Sequence, residues 1–266
     1  MTGADLGFSG EVAGLYRRYR HGYPAAVIDI LADAFRLGPD DLVVDVGCGT
    51  GQLTLPLAGR VRAVTGLDPE ADMLAEAGLA ARGAGLANIA WILGTDADLP
   101  ALGSLLGAGA VAAVTVGQAL HWMRPPELFA AARRLVRPGG GVAVVTNGTP
   151  LWLQDSDWSR GLLRFLREWR NTTTGPACGT DEESQRRYAG ALTGAGFAVS
   201  ATAVDYVADL SFDDLAGGLL SAIPASLLPP AAERPEFTRR IRAAVGDGDT
   251  FTEPVHVAIL LGRLAA

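Results

Sequence analysis

A glycine-rich stretch at 47–51 has the residue types and spacing of a ligand-binding loop. Gly47, Gly49 and Gly51 follow an apolar run that contains Asp45. A strand that ends in glycines and leads into a helix brings backbone amides up to an anionic ligand. A tight turn needs only one glycine, so three of them indicate that a ligand lies close to the backbone.

The spacing of these glycines disfavours a dinucleotide ligand. The dinucleotide fingerprint is GxGxxG, and its third glycine falls on Gln52 or Thr54 in the two possible frames. A nicotinamide oxidoreductase is therefore disfavoured. The observed GxGxG spacing suits a ligand with a carboxylate, an ammonium group and a nucleoside. The helix end can hold the carboxylate, and Asp45 or loop carbonyls can take the ammonium. S-adenosylmethionine is such a ligand.

Apolar runs alternate with helical patterns along the chain, which predicts parallel strands joined by crossover helices. In such a doubly wound α/β sheet the ligand lies beyond the carboxyl ends of the strands. The predicted strands are 43–46, 61–67, 89–93, 111–116, 142–146, 197–206 and 251–263. The predicted helices are 11–20, 24–36, a segment from the glycine loop to about 59, 70–82, 126–136, 158–170, 181–193, 211–221 and 235–245, with a turn at 138–140.

Several stretches resemble the class I S-adenosylmethionine-dependent methyltransferases. Besides the glycine loop, these are Asp68 at the end of the second strand, the segment 116–122 and the turn at 137–140. The segments 16–24 and 116–122 resemble the branch that contains trans-aconitate methyltransferase and natural-product methyltransferases. The resemblance covers about 12–147. It implies a Rossmann-like sheet of about seven strands with a helical cap.

The resemblance also implies roles for residues that follow the second and third strands. Asp68 would bind the ribose hydroxyls of the cofactor, although Pro69 after it also fits a helix N-cap. Met73 would lie against adenine, or else is a core methionine. An acid beside an alanine would read the adenine edge. Asp96 with Ala97 is preferred for this role, but the register is ambiguous with Asp98.

In this branch the N-terminal segment folds over the cofactor, so Tyr16 or Arg20 would reach its carboxylate end. Residues 11–23 and parts of 150–180 are expected to become ordered over bound ligands. The implied cofactor contacts are Tyr16, Arg20, Asp45, Gly47, Gly49, Gly51, Gln52, Asp68, Met73, Asp96, Ala97 and Gln118.

His121 is the candidate general base, because it follows the fourth strand and a histidine changes charge near neutral pH. The alternative is that His121 and Trp122 simply wall the pocket. His21 in the N-terminal segment could contact the substrate. Trp152 could line an apolar pocket, or could pack a helix onto the sheet. His256 lies in a predicted strand and is interpreted as structural.

Composition excludes several other classes of function. The formal net charge is -7 and all 22 basic residues are arginine, which disfavours a nucleic-acid partner and rules out a lysine Schiff base. Two cysteines without CxxC spacing argue against a zinc site or a disulfide framework, so no metal is predicted. Without a secretory signal or an apolar run of membrane-spanning length, we expect a cytoplasmic monomer or homodimer.

The predicted organisation is an N-terminal lid at 1–24, a cofactor-binding core at 25–147 and a remainder at 148–266. Cap insertions are expected at about 150–180 and 208–248. The function that this implies is methyl transfer to a small-molecule acceptor, a hydrophobic or specialised metabolite. The alternative is a protein of the same fold that binds the cofactor and catalyses a rearrangement or cyclisation.

Overall fold

The structure is a computed structural model, and it describes residues 6–170 and 178–265. The first residues of the predicted lid and part of the cap insertion at 150–180 lie outside these ranges. Within them, none of the helices is both long enough and apolar enough to cross a membrane.

Seven strands form one mixed sheet in the order β3-β2-β1-β4-β5-β7-β6. Strands β1 to β5 pair in parallel, and β7 runs antiparallel to both β5 and β6. Because β7 is antiparallel, its first residues lie beside the carboxyl ends of the parallel strands. The strands are β1 Leu42–Val46, β2 Ala63–Asp68, β3 Ile89–Leu93, β4 Val111–Gly117, β5 Val136–Asn147, β6 Ala198–Ser211 and β7 Thr250–Arg263.

Helices cover both faces of the sheet, and further helices form a cap above the carboxyl ends of the parallel strands. On one face, α5, α6 and α8 pack against Val44, Val114 and Val144. On the other face, α2 and α3 pack against Val43 and Val145. Adjacent residues of one strand thus enter different cores, which explains why the strands are continuous apolar runs. The helices are α1 Glu11–Tyr19, α2 Ala25–Phe35, α3 Thr54–Ala58, α4 Ala71–Gly83, α5 Leu99–Leu106, α6 Pro125–Leu135, α7 Asp157–Arg170, α8 Glu182–Gly194, α9 Phe212–Leu220 and α10 Arg234–Val245.

A third apolar cluster, the cap cluster, joins α7, α9 and α10 above the carboxyl edge of the sheet. Phe165 of α7 and Phe237 of α10 meet edge to face, with ring centroids 5.1 Å apart. Leu210 and Phe251 connect the cluster to the ends of β6 and β7. The cap therefore has its own small core.

Two parts of the predicted element order are wrong. The helix α5, which begins with buried Leu99, is not in the prediction because its helical pattern is short and has few buried residues. The predicted turn at 138–140 lies inside β5. The pairing passes from Val111 opposite Val136 to Ala113 opposite Gly141, so the Pro-Gly-Gly segment forms a bulge and the strand continues through it.

The buried carboxylate of Asp45 joins three elements below the glycine loop. Asp45 is the penultimate residue of β1 and is 1% exposed. Its Oδ2 accepts the hydroxyl of Thr54 in α3 at 2.5 Å, and its Oδ1 accepts the hydroxyl of Thr115 in β4 at 2.8 Å. Burial raises the pKa of Asp45 from 3.8 to about 6, although both hydroxyl groups act to lower it.

Asp45→Asn tests the pH dependence that this burial implies. Because the folded pKa lies above the unfolded one, the folded state keeps a proton that the unfolded state loses. The free energy of unfolding should therefore fall as the pH rises from 3.8 to about 6. The shift corresponds to about 3 kcal/mol. In Asp45→Asn the free energy of unfolding should fall less over this pH range, as measured by urea unfolding at several pH values. An unchanged slope would contradict the burial of an ionisable group here.

Candidate functional site

Two adjoining cavities lie at the carboxyl edge of the sheet. The loop cavity, of ≈ 200 Å³, lies against the glycine loop, β2 and the segment after β3. The cap cavity, of ≈ 250 Å³, lies between the glycine loop, α1 and the cap. Both cavities share a boundary, which is lined by Phe8, Tyr16, Gly47, Gly49, Gly117, Gln118 and Trp122.

The glycine loop folds tightly over the end of β2. Gly47, Gly49 and Gly51 have φ of 69°, 54° and 91°, which is the left-handed region that favours glycine. The N–H groups of Gly47 and Cys48 both donate to the carbonyl of Leu67, at 2.7 and 3.1 Å. The loop therefore depends on backbone conformations that other residues adopt with strain.

The glycines differ in what a side chain would meet. A Cβ on Gly47 would lie 2.5 Å from the Cβ of Ala119, so Gly47 is needed for packing. A Cβ on Gly49 would meet no atom closer than Gln52 Oε1, at 4.0 Å, and Gly49 faces both cavities. Gly51 lines neither cavity, and a Cβ there would press on Leu55. Gly49 is thus the glycine that keeps the cavity open.

Asp68 clamps the glycine loop from the end of β2. Its Oδ2 accepts the N–H of Gly49 at 2.8 Å, and its Oδ1 accepts the N–H of Glu70 at 2.9 Å. Asp68 is 7% exposed and lines the loop cavity. Burial raises its pKa, while the two N–H groups oppose that shift. Each carboxylate oxygen has a further lone pair with which it could accept a ligand hydroxyl.

The two acids after β3 have different positions. Asp98 closes a capping box, because its Oδ2 accepts the N–H of Thr95 at 2.8 Å. Asp96 lines the loop cavity, and its Oδ2 accepts the N–H of Arg124 at 3.2 Å. The N–H of Ala97 donates to the hydroxyl of Thr95 at 3.3 Å. The geometry therefore favours Asp96 over Asp98 and does not bring Ala97 into the cavity wall.

Gln118 lies at the boundary of the two cavities and has a strained backbone conformation. It is not a glycine, yet its φ is 54°. Its N–H donates to Val145 O at 2.8 Å, and its side-chain Oε1 accepts the N–H of Asn147 at 2.8 Å. These bonds tie the ends of β4 and β5 together. Backbone strain that its surroundings maintain in this way is typical of ligand sites.

The N-terminal segment closes one side of both cavities. The Arg20 guanidinium lies 5.5 Å from the centre of the Tyr16 ring, and its Nε donates to the buried hydroxyl of Ser221 at 2.9 Å. Burial raises the pKa of Tyr16 despite the nearby Arg20, so its phenol is neutral at pH 7. The segment is thereby fastened to the cap through α9.

His121 lines the cap cavity directly after β4. It is half-buried, and burial lowers its pKa from 6.5. The ring is therefore neutral at pH 7, and one nitrogen has a lone pair that can accept a proton. Trp122, whose ring centroid is 5.0 Å away, is 53% exposed and lines both cavities.

The remaining candidates lie around the same cavities. Met73 is 4% exposed and lines the loop cavity, whereas Trp152 is also 4% exposed, packs in the cap cluster and lines the cap cavity. His21 is exposed at the edge of the cap cavity. Gln52 lines that cavity, and its Oε1 accepts the hydroxyl of Thr50 at 3.0 Å. Asp45 lies beneath the loop, with a threonine hydroxyl on each oxygen.

The helix after the glycine loop is shorter than the sequence predicts and begins further from the loop. α3 has five residues and begins at Thr54, three positions beyond the last loop glycine. The backbone N–H groups nearest the loop cavity therefore belong to the loop itself. A ligand carboxylate would therefore meet the N–H groups of the loop, and the expected contact with a helix N-terminus is not formed.

Glu253 and Asn147, which are not among the residues predicted from the sequence, also line the cap cavity. Asn147 ends β5, but Glu253 lies near the start of β7. Because β7 is antiparallel, its first residues lie where the parallel strands end. An acidic residue near the start of a predicted strand whose later residues, 257–261, are all apolar was the signal that could have identified Glu253.

Comparison with known proteins agrees with this geometry. The mixed seven-stranded sheet is a Rossmann-like methyltransferase fold. A solved structure from Anaeromyxobacter dehalogenans, assigned as a type II methyltransferase, matches it with a TM-score of 0.62 at 22% identity, over 93% of this chain and 100% of that chain. This likeness confirms the predicted fold.

A family model and several sequence relatives match part of the chain. Residues 43–140 match the family model described as a methyltransferase domain, which confirms the resemblance to methyltransferases in this segment. An uncharacterized methyltransferase of Mycobacterium tuberculosis is 36% identical over 144 residues, 54% of this chain and 54% of that protein. The chain thus spans about half the length of that relative. A trans-aconitate 2-methyltransferase of Deinococcus radiodurans is 39% identical over 105 residues, 38% of this chain and 36% of that protein.

A pair of alanine substitutions separates the packing role of Gly47 from the open position of Gly49. Both variants place alanine at positive φ, which costs roughly 1–2 kcal/mol. Gly47→Ala adds an overlap with Ala119, which typically costs a further 1–3 kcal/mol. Gly47→Ala should therefore lower the melting temperature several degrees more than Gly49→Ala, as measured by circular dichroism. Equal losses would show that the loop does not pack as described.

Proposed function

We propose that the protein transfers a methyl group from S-adenosylmethionine to a small-molecule acceptor. The observation that carries this proposal is the shared boundary of the two cavities at Gly47, Gly49 and Gln118. One cavity lies on the glycine loop inside the matched domain, and the other lies under the cap. A cofactor and an acceptor bound in them would meet at this boundary.

The residues of the loop cavity fit the nucleoside end of this cofactor. Asp68 offers carboxylate lone pairs to ribose hydroxyls, and Asp96 offers an acceptor to an adenine amino group. Met73 supplies an apolar surface for a flat base. The methionine end would then cross Gly49 towards Arg20, whose guanidinium suits a carboxylate.

When bound, the cofactor supplies a methyl group that its sulfonium has already activated. The protein then has to align the acceptor and exclude water. Tyr16 and Trp122 wall the boundary where the acceptor would approach. Neutral His121 can take the proton from an acceptor that loses one on methylation.

The acceptor class proposed from the aromatic lining is a hydrophobic or specialised metabolite handled in the cytoplasm. Six aromatic side chains line the cap cavity, which favours a ligand with an apolar body. They are Phe8, Tyr16, Tyr19, Tyr23, Trp122 and Trp152.

Mass spectrometry tests the reaction class. The enzyme is incubated with S-adenosylmethionine carrying a labelled methyl group and with a pool of candidate metabolites. Methyl transfer predicts one labelled methyl group on an acceptor and an equal amount of S-adenosylhomocysteine. Product formation without label would indicate a rearrangement or cyclisation, and would overturn the proposal.

Calorimetry with S-adenosylhomocysteine tests the cofactor site. Asp96→Ala should weaken binding by about 1.5–3 kcal/mol, because a charge-assisted hydrogen bond to the base is lost. Asp68→Ala should weaken it at least as much, since it also releases Gly49. Asp98→Ala is the matched control and should leave the affinity nearly unchanged. Unchanged affinity in the Asp68 and Asp96 variants would rule out this assignment.

His121→Ala tests the base. Turnover of the acceptor identified by mass spectrometry should fall by roughly 10²–10⁴-fold. The wild-type rate should fall as the pH drops below the lowered pKa of His121, and the variant should lose this acid limb. The affinity for S-adenosylhomocysteine should stay the same.

His256→Ala is the matched control for His121, because that ring lies on β7 beside Asp205, outside the cavities. It should retain full turnover and the acid limb. If His121→Ala raises KM and leaves kcat unchanged, the ring binds the acceptor as a wall and does not act as a base.

A further inference from the structure

The cap cavity contains a carboxylate that the proposed transfer reaction does not use. Glu253 lies near the start of β7, opposite Ala208 of β6, and lines the cavity. The antiparallel direction of β7 brings this position to the edge of the sheet where His121 also lies. Glu253 on β7 and His121 in the segment after β4 therefore line the same cavity.

A hydrogen bond from the cap holds the Glu253 carboxylate in place. Gln154 Nε2 donates to Glu253 Oε1 at 2.9 Å and also contacts Thr149 O at 3.2 Å. The backbone N–H of Gln154 is fixed in turn by the hydroxyl of Ser159 at 2.9 Å. Among the residues that the structure describes, Glu253 forms no ion pair within 4.0 Å, so Oε2 is left for a ligand.

The other charged groups of the cavity have partners of their own. Asp45 is bonded to two threonines, and Asp214 accepts the N–H and the hydroxyl of Ser211 at the start of α9. Arg20 is held by Ser221 and stacks on a tyrosine ring. Both bonds from Ser211 reach Asp214 Oδ2, so Asp214 Oδ1 and Glu253 Oε2 are the carboxylate oxygens of the cavity without such a bond in the described part of the chain. Burial is the leading influence on the pKa of Glu253 but not on that of Asp214, so Glu253 is the more desolvated of the two acids.

The pKa of Glu253 is raised, because burial outweighs the groups that act to lower it. Burial raises its pKa, whereas the Gln154 hydrogen bond and the nearby Arg20 and His21 act to lower it. Tyr206 also lies close enough for the charge of Glu253 to raise the tyrosine pKa. A carboxylate in a partly desolvated cavity attracts a cationic ligand and repels an anionic one.

The aromatic lining favours the same ligand charge. The faces of tyrosine and tryptophan rings attract cations, and Tyr19, Tyr23, Trp122 and Trp152 line the same cavity as Glu253. A cavity that combines a carboxylate with aromatic rings has the chemistry of an ammonium site.

We propose that the acceptor bears an ammonium group, which Glu253 binds while the aromatic rings enclose its apolar body. This inference rests on the proposed function, because it names the substrate class of the same cavity. It also distinguishes this chain from an enzyme for polycarboxylate acceptors, since an acceptor carboxylate would meet the Glu253 charge.

Two probes with similar apolar bodies and opposite charges test the inference. Binding of 2-phenylethylamine and 3-phenylpropanoate is measured by calorimetry on the full chain saturated with S-adenosylhomocysteine. The amine should bind at least about tenfold more tightly than the carboxylate. Glu253→Gln, which removes the charge and keeps the shape, should abolish this preference.

Glu127→Gln is the matched control, because it removes the same charge from an exposed position on α6. It should retain the preference for the amine. If Glu253→Gln proves unstable, Glu253→Asp replaces it, and should reduce the preference by withdrawing the charge.

The outcomes separate this inference from the proposed function. If the wild-type chain does not bind S-adenosylhomocysteine, the proposed function fails first. If it binds S-adenosylhomocysteine and shows no amine preference, the ammonium site is overturned and the cofactor site stands. A preference that survives in Glu253→Gln also overturns the site. Loss of the preference with unchanged affinity for S-adenosylhomocysteine supports it.

Discussion

The hydrogen bonds of Asp68 to Gly49 and Glu70 are the interaction on which the candidate site depends. One carboxylate connects the end of β2 to the loop after β1 and to the turn that precedes α4. The loop itself follows an unusual path because its glycines have positive φ, and a buried N–H without a partner would cost about 1–3 kcal/mol. Asp68 satisfies two such groups. It thereby fixes the wall of one cavity and the boundary of both.

A second acid lies directly below this clamp, and the two affect each other. The charge of Asp68 contributes to the raised pKa of Asp45, after burial as the main cause. The glycine loop is therefore built on two buried carboxyl groups that repel one another when both are ionised. A cationic group bound above the loop would relieve this repulsion and lower both pKa values. The sulfonium and ammonium groups of the proposed cofactor carry such a charge.

The antiparallel strand β7 shapes the other half of the site. It brings Glu253 to the carboxyl edge of the sheet, while β6 and α9 bring Leu210 and Asp214 to the same cavity. The cap cluster then fastens Trp152 above them. Most of the lining of the loop cavity thus lies in the segment that matches the methyltransferase domain, and the cap cavity draws much of its wall from the remainder of the chain.

Local sequence patterns were enough to predict most of the strands and helices and part of the candidate site. Apolar runs covered on both faces marked the central strands β1 and β4, and β3 was predicted at the residues where it occurs. The glycine loop and Asp68 were recognisable because their spacing reflects backbone geometry within one strand–loop unit. The Pro-Gly-Gly bulge in β5 was misinterpreted, since the same residues form a turn unless a neighbouring strand pairs beyond them.

The features that need long-range contacts could not be derived in this way. The sequence preferred Asp96 over Asp98, but the contact of Asp96 with the N–H of Arg124, which is distant in the sequence, is visible only in the fold. Glu253 enters the site because β7 inserts antiparallel between β5 and β6, and the direction of a strand is not visible in its own residues. Periodicity reports which face of an element is buried. Which elements meet, and which charged side chains they bring together, is set by packing across the whole chain.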